Sequence, residues 1–446
     1  MQSWFHEIAD YVETLLSEGE QVRISFAGEI TGFARISSGA IRQGGSIEQR
    51  NLTIALRKDG REVESSVMLS GSFAEDRNPL RAIIDRLSGA VGDLPVDPHL
   101  PELPDSVWEE QRGQGRIPVP EELIEAIAGD CGVAQTCGIA ITGTMYRGVA
   151  TSTGVRRWYE APRTVIDGSM HLPGDKKRVA GGASKWVWAG ESWNPGAARA
   201  RRQHAESMLE ILARDVQSPP VGSYRAWLEP AAVKDLLVPV LWNGGFSAEA
   251  VLAGSSPLAP LYDATRLDPR VFFRDHPAAI GAPTFGDHGH PVTDGMDLVS
   301  AGAGQQKLTS PRTAMEHGLT HNGASDSESP MALEMDPGTF DPDNACAQIG
   351  DGLWLSHVHY TNLAAREGAR VTGVTRWIAL KVKDGEPVAP IGTVRIDDSV
   401  IRLLGEGLLE VGSDPESLAE LHTYGQRKPG GMKLPGILVD GLRVVG

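Results

Sequence analysis

The segment running from Tyr224 to Pro257 constrains this chain more than any other. Tyr224 to Leu228 is a run of strand formers that gives way at Glu229-Pro230 to a helix. Within that helix Val233, Leu236, Leu237, Val240 and Leu241 recur at spacings of three and four, so one face is buried. Gly244-Gly245 then breaks the chain, and a small-residue helix leads to Gly254-Ser255-Ser256. The stretch from Val238 to Pro257 is therefore a buried helix end followed by tight turns, and the rest of the chain is organised around it.

The 446 residues suffice for two or three domains with a substantial core. A hydrophobic content of 41% and a charged content of 22% fit a soluble globular protein. The formal charge of −16, from 42 basic and 58 acidic side chains, argues against nucleic acid, which needs a concentrated basic footprint. Arg199, Arg201, Arg202 and His204 make a local basic cluster on a predicted helix, read as a solvated face. No stretch approaches the ~20 apolar residues that span a bilayer. The N-terminus is amphipathic and acidic, unlike a signal peptide, and Cys131, Cys137 and Cys346 are too few and too scattered for a disulfide framework. These features point to reduced thiols and a cytoplasmic setting.

In order along the chain, Ile8, Tyr11, Val12, Leu15 and Leu16 share one face of a first helix. Val22 to Phe26, Ile47 to Arg57 and Val63 to Ser70 read as half-buried strands, with a hairpin turn at Lys58-Asp59-Gly60-Arg61. A helix over Asn78 to Val91 completes a first module, residues 1–94. Prolines at 95, 98, 101 and 104 make an extended linker. A second module, 105–217, holds a short helix over Pro120 to Ala128, long strands from Gly138 to Arg163 and a long helix from Gly196 to Val216. The third, 222–446, contains a polar loop-rich region between Gly295 and Asn344, suited to covering a cleft. Its strand Leu353 to Tyr360 sets His357 and His359 on one face, with Trp354 and Val358 on the other. The expected class is α+β, with N-terminal antiparallel sheets backed by helices and a mostly antiparallel C-terminal β domain.

Candidate chemistry rests on histidine. His317-Gly318-Leu319-Thr320-His321 has ligand spacing if helical, though Gly318 and Gly323 weaken such a helix and favour a polar loop. His288 and His290 form one i, i+2 pair and His357 and His359 another; two such pairs meeting in space could bind a metal, carry protons or contact a peptide. Ser255 and Ser256 lack a nucleophile elbow, and Gly181-Gly182-Ala183-Ser184-Lys185 lacks the hydroxyl that a phosphate loop needs after its lysine.

The order Gly222-x-Tyr224-x-x-x-Leu228-x-Pro230-x-Ala232, helix, small-residue helix and Gly254-Ser255-Ser256 resembles the C-terminal domain of the TldD/PmbA (TldD/TldE) peptidases. Three other stretches resemble that family: Thr31 to Arg35 with Ile41-Arg42-Gln43, Val371 to Arg376 with Lys383 to Ile391, and Asp275-His276-Pro277 with Asp287-His288-Gly289-His290-Pro291. In zinc-bearing members the helix carries His-Glu-x-x-x-His, two ligands near one face with a general base between them. Here Leu241, Trp242, Asn243, Gly244, Gly245 and Phe246 stand in its place. Where such members supply a cysteine ligand, this chain reads Thr423-Tyr424-Gly425, followed by a terminal strand pair over Met432 to Gly446. The resemblance thus implies a TldE-like (PmbA-like) subunit with no catalytic or metal residue of its own. It would pair with a zinc-bearing TldD-like partner around a cavity that receives an extended peptide, leaving His288, His290, His317, His321, His357 and His359 as candidate substrate contacts. Two other readings stand beside it: a self-sufficient hydrolase with a rearranged histidine site, and a homodimeric peptide-binding scaffold.

Overall fold

A computed structural model describes residues 1–128, 135–173, 182–421 and 425–446. Seven strands build the N-terminal sheet: β1 (Gln21–Ser37), β2 (Ala40–Lys58), β3 (Arg61–Met68), β4 (Val107–Arg112), β5 (Gln135–Thr151), β6 (Val155–His171) and β7 (Ala183–Gly190). Their order is β3-β2-β1-β5-β6-β4, with β7 also on β6, and every pairing is antiparallel except that of β4 with β6. The β2–β3 turn has Asp59 at φ +48° and Gly60 at φ +70°, as a two-residue hairpin loop requires. The proline linker near 95–104 divides no sheet, because β1 lies along β5 from Arg23↔Thr151 to Ser37↔Cys137. Strands from residues 1–94 and from 105–217 thus share one layer, a long-range pairing that local sequence patterns do not carry.

The two faces of this sheet differ in chemistry because side chains alternate along a strand. Val22, Ile24, Phe26, Leu52, Ile54, Leu56 and Trp158 face helices Gln2–Glu13 and Phe73–Val91, which contribute Phe5, Ile8, Val12, Leu80, Ile84 and Leu87 to a common core. The intervening positions, among them Arg23, Ser25, Asn51, Thr53 and Arg147, face the C-terminal half.

That half holds two sheets. Strand Gly222–Leu228 pairs in parallel with Gly352–Ala365 and antiparallel with Ile437–Val444. Phe273–Asp275 lies antiparallel to Met296–Ser300 and Ala332–Met335, and the latter pairs in parallel with Gly431–Leu434. Helix Pro230–Trp242 docks beside strand Gly352–Ala365, where the Val358 amide donates to Asp235 Oδ2 at 3.0 Å and Trp354 Nε1 donates to Glu229 Oε1 at 2.6 Å. Val233, Leu236, Leu237 and Val240 of the helix join Leu353, Leu355 and Val358 in the largest core. The class is α+β, as the sequence implies.

Three expectations change in detail. The helix from residue 196 onward runs as Pro195–Ser207 and then a short turn, Leu209–Leu212. Ser207 Oγ donates to the His204 carbonyl at 2.7 Å, a local bond of the kind that competes with helix continuation. The terminal strands Gly431–Leu434 and Ile437–Val444 both form but do not pair with each other; the chain crosses from one sheet to the other at Pro435-Gly436. The polar region between 295 and 344 is partly regular, with strands Met296–Ser300 and Ala332–Met335 and helix Pro311–His317.

Candidate functional site: a cleft between the sheet and the buried helix

The polar face of the N-terminal sheet and the end of helix Pro230–Trp242 enclose a cavity of about 910 Å³. Arg23, Ser25, Asn51, Thr53 and Arg147 line it from the sheet, and Lys234, Val238, Leu241 and Trp242 from the helix. The helix stops there because Gly244 turns at φ +75° and Asn243 Nδ2 donates back to the Pro239 carbonyl at 2.7 Å. Trp242 is left 72% exposed at the mouth.

Two loops complete the cavity wall. Residues 284–290 are pinned by Ser25 Oγ donating to the Asp287 carbonyl at 2.8 Å and Arg157 Nε to the Gly289 carbonyl at 2.9 Å. Residues 425–431 cross the sheet face, held by Asn51 Nδ2 to Gln426 Oε1 at 3.0 Å and by the buried pair Arg427 Nε to Glu29 Oε2 at 3.0 Å. Arg427 Nη2 donates further to Thr31 Oγ1 at 2.7 Å. Six polar atoms of two distant chain segments are thus satisfied together, which makes this loop part of the wall rather than a free flap.

Charge inside the cavity is set by burial. Asp275 is buried and accepts from the Ala332 amide at 2.9 Å, yet desolvation outweighs that bond and raises its pKa to about 6. Lys234 donates to the Ala419 carbonyl at 3.1 Å; desolvation pushes its pKa down, against the pull of Glu420 and Asp235. Asp235, on the same helix, is raised to about 7, again by burial.

The candidate histidines fall into separate groups. His288 lines the cavity, its Nε2 lying 2.9 Å from both oxygens of Asp326. His290 packs edge-on against His321 with ring centroids 4.5 Å apart, and its pKa drops to about 4, first by desolvation and then through His321 and His288. Gly318 at φ +64° ends helix Pro311–His317, so His317 turns to Glu249 Oε2 at 3.0 Å while His321 goes to His290. His357 accepts or donates at Ser356 Oγ, 3.0 Å away, and desolvation with Lys185 beside it lowers its pKa to about 3. His359 packs on Tyr360 at 4.2 Å. Among the described residues no hydrogen bond or ring contact joins the 288/290 pair to the 357/359 pair.

Other sequence features have plain structural partners. Ser256 Oγ donates to the Gly245 carbonyl at 2.8 Å and Ser255 Oγ to that of Ala250 at 3.2 Å. Lys185 lies on β7 and pairs with Asp167 at 2.7 Å. Cys131, Gly181, Thr423 and Tyr424 lie outside the described residues. At the helix end, Leu241 to Phe246 present no metal ligand. Among the described residues, the grouping of three ligand-type side chains with ligand atoms mutually within 4.8 Å is Glu249, Glu316 and His317, all exposed. Sequence reasoning missed Arg23, Arg147, Lys234 and Asp275; alternation of polar residues along β1 and β5 was the signal for the two arginines.

Against known proteins, residues 221–446 match the family described as PmbA/TldA metallopeptidase C-terminal domain. A search of curated proteins finds no match. TldE from Thermococcus kodakarensis superposes with a TM-score of 0.79 at 14% identity, over 99% of this chain and 100% of that one. A protein of Thermotoga maritima MSB8, solved as a proposed modulator of a DNA gyrase, gives 0.76 at 17% identity, over 99% and 100%. A Bacteroides thetaiotaomicron VPI-5482 protein of similar description gives 0.75 at 15% identity, over 100% and 98%. At these identities the solved structures speak to fold alone, and together with the family match over half the chain they establish that it belongs to the TldD/PmbA family.

Proposed function

We propose that this chain is a TldE-like, non-metal subunit that pairs with a zinc-bearing TldD-like chain and forms part of the cavity through which an extended peptide reaches the partner's metal. The observation that carries this reading is the end of helix Pro230–Trp242. It points Val238, Leu241 and Trp242 into the cavity, where a metallopeptidase of this family would present histidine and glutamate. An apolar helix end can shape and dry a cavity, but it offers neither a Lewis acid's ligands nor a general base. Peptide recognition would be through the main chain, with strand edges and loop amides giving affinity at little cost in sequence preference.

Native mass spectrometry of this chain alone, and together with a TldD-like chain from the same source, tests the reading. A one-to-one heterodimer carrying one zinc supports it. A homodimer that holds stoichiometric metal by itself overturns it and favours a self-sufficient hydrolase; a metal-free homodimer that ignores the second chain favours a scaffold.

A further inference from the structure

The arginines of the sheet's polar face do not share one electrostatic environment. Arg57 Nε meets Glu62 Oε2 at 2.5 Å, Arg23 lies 3.7 Å from the same carboxylate, and Arg157 pairs with Glu109. Arg427, which crosses this face, has Glu29. Arg147 lines the cavity and has no carboxylate partner among the described residues. Its Nη1 donates to the Tyr146 carbonyl at 2.7 Å and its Nη2 to the Arg427 carbonyl at 2.8 Å. Desolvation pushes its pKa down, and Asp287 and Glu29 offset this only at longer range. A guanidinium does not lose its proton in a protein, so a desolvated one without a counter-ion leaves favourable interaction unused.

Among the carboxylates that line the cavity, Asp326 is taken by His288 and Asp275 by the Ala332 amide; Glu64, Asp287 and Glu420 line it too, and among the described residues none forms an ion pair with Arg147. Its cations have spare capacity: among the described residues Lys234 donates to one carbonyl, and the buried Arg23 Nε meets no acceptor. An incoming group that accepts hydrogen bonds and carries negative charge would satisfy what the protein leaves open. A carboxylate matches a guanidinium in planarity and spacing.

We infer that the cavity receives its peptide through a carboxylate seated at Arg147, from either the peptide's C-terminus or an acidic side chain. This rests on the reading of the cavity as a peptide site and assigns that site a substrate class.

Fluorescence anisotropy with three N-terminally dansylated alanine-rich hexapeptides tests it: one with a free C-terminus, one C-terminally amidated, and one amidated with an internal glutamate. The protein is the full chain, alone and with a TldD-like partner. The free acid is expected to bind roughly tenfold or more tightly than the amide, as for a charge-assisted contact. Recovery by the glutamate peptide assigns the contact to a side-chain carboxylate; failure to recover assigns it to the C-terminus. R147Q is expected to erase the acid-to-amide ratio and R147K to retain part of it. Equal binding of acid and amide to the wild-type protein overturns the inference and leaves the peptide cavity standing, a result that needs no variant to fold. A ratio unchanged in folded R147Q also overturns it. If none of the peptides binds with or without the partner, the cavity reading falls and the inference with it.

Discussion

The Ser310 amide donates to Oε1 of Glu328 at 2.7 Å in the interior of the protein. The other oxygen of that carboxylate accepts from Ser247 Oγ at 2.6 Å and from the Glu249 amide at 2.9 Å. One buried side chain therefore ties together the starts of helices Ala248–Leu252 and Pro311–His317, whose own caps, Ser247 and Ser310, lie sixty-odd residues apart in the chain. Glu328 holds a left-handed backbone, φ +46°, to do so.

Substituting Glu328 tests that arrangement. E328Q replaces a charged acceptor with a neutral amide and is expected to cost about 1–3 kcal/mol. E328A leaves three donors without their acceptor and is expected to cost more. Urea denaturation measures both; a midpoint unchanged in E328A would show that water serves these donors equally well.

The Glu29–Arg427 pair makes a second prediction. Both side chains are buried, and removing one partner leaves an uncompensated charge, so E29A or R427A is expected to lose about 3–5 kcal/mol. The double variant is expected to lose less than the sum of the two. A double-mutant cycle with zero coupling energy would contradict the tie between loop and sheet.

His290 makes stability depend on pH. Its folded pKa, about 4, lies below the ordinary value of 6.5, so between these the unfolded chain binds the proton that the folded chain refuses. Its contribution is complete above pH 6.5 and is lost as the pH falls to about 4. Asp275, raised from 3.8 to about 6, acts in the opposite sense, its contribution being present at low pH and lost as pH rises through 6. H290F is therefore expected to flatten the wild-type decline in Tm below pH 6.5, and D275N to flatten the opposing term. Calorimetric scans across pH 4–7 separate the two; parallel curves for wild type and H290F would refute the first.

Gly436 sits where the chain changes sheets. A Cβ there would lie 2.4 Å from the Trp227 ring and 3.0 Å from the Leu228 carbonyl. Trp227 is fully enclosed, so neither neighbour can withdraw. G436A is expected to cost about 1–3 kcal/mol by overpacking, read as a fall in the denaturant midpoint. G425A is a weaker control: at φ +77° it strains the backbone but meets no atom of the described residues within 4 Å.

Much of this molecule is local and so was legible in the residues. Val233, Leu236, Leu237 and Val240 announce the buried face of helix Pro230–Trp242, because helical periodicity needs no knowledge of the partner. The Asp59-Gly60 hairpin and the long strands around it follow likewise from turn chemistry and alternation. The histidines show the limit. His317 and His321 are four residues apart and would share a helical face, yet Gly318 turns the chain and sends one to Glu249 and the other to His290.

The sequence by itself determined the class and, through the motifs around Gly222–Ala232 and Gly254–Ser256, the family. Only the tertiary structure decided that β1 pairs with β5 across the proline linker and that the two terminal strands part into different sheets. It alone set Arg147 at the cavity wall on two backbone carbonyls, with no ion-pair partner among the described residues. The reason is physical: propensity and periodicity act over a few residues, whereas strand partners and counter-ions are chosen by side chains hundreds of positions away.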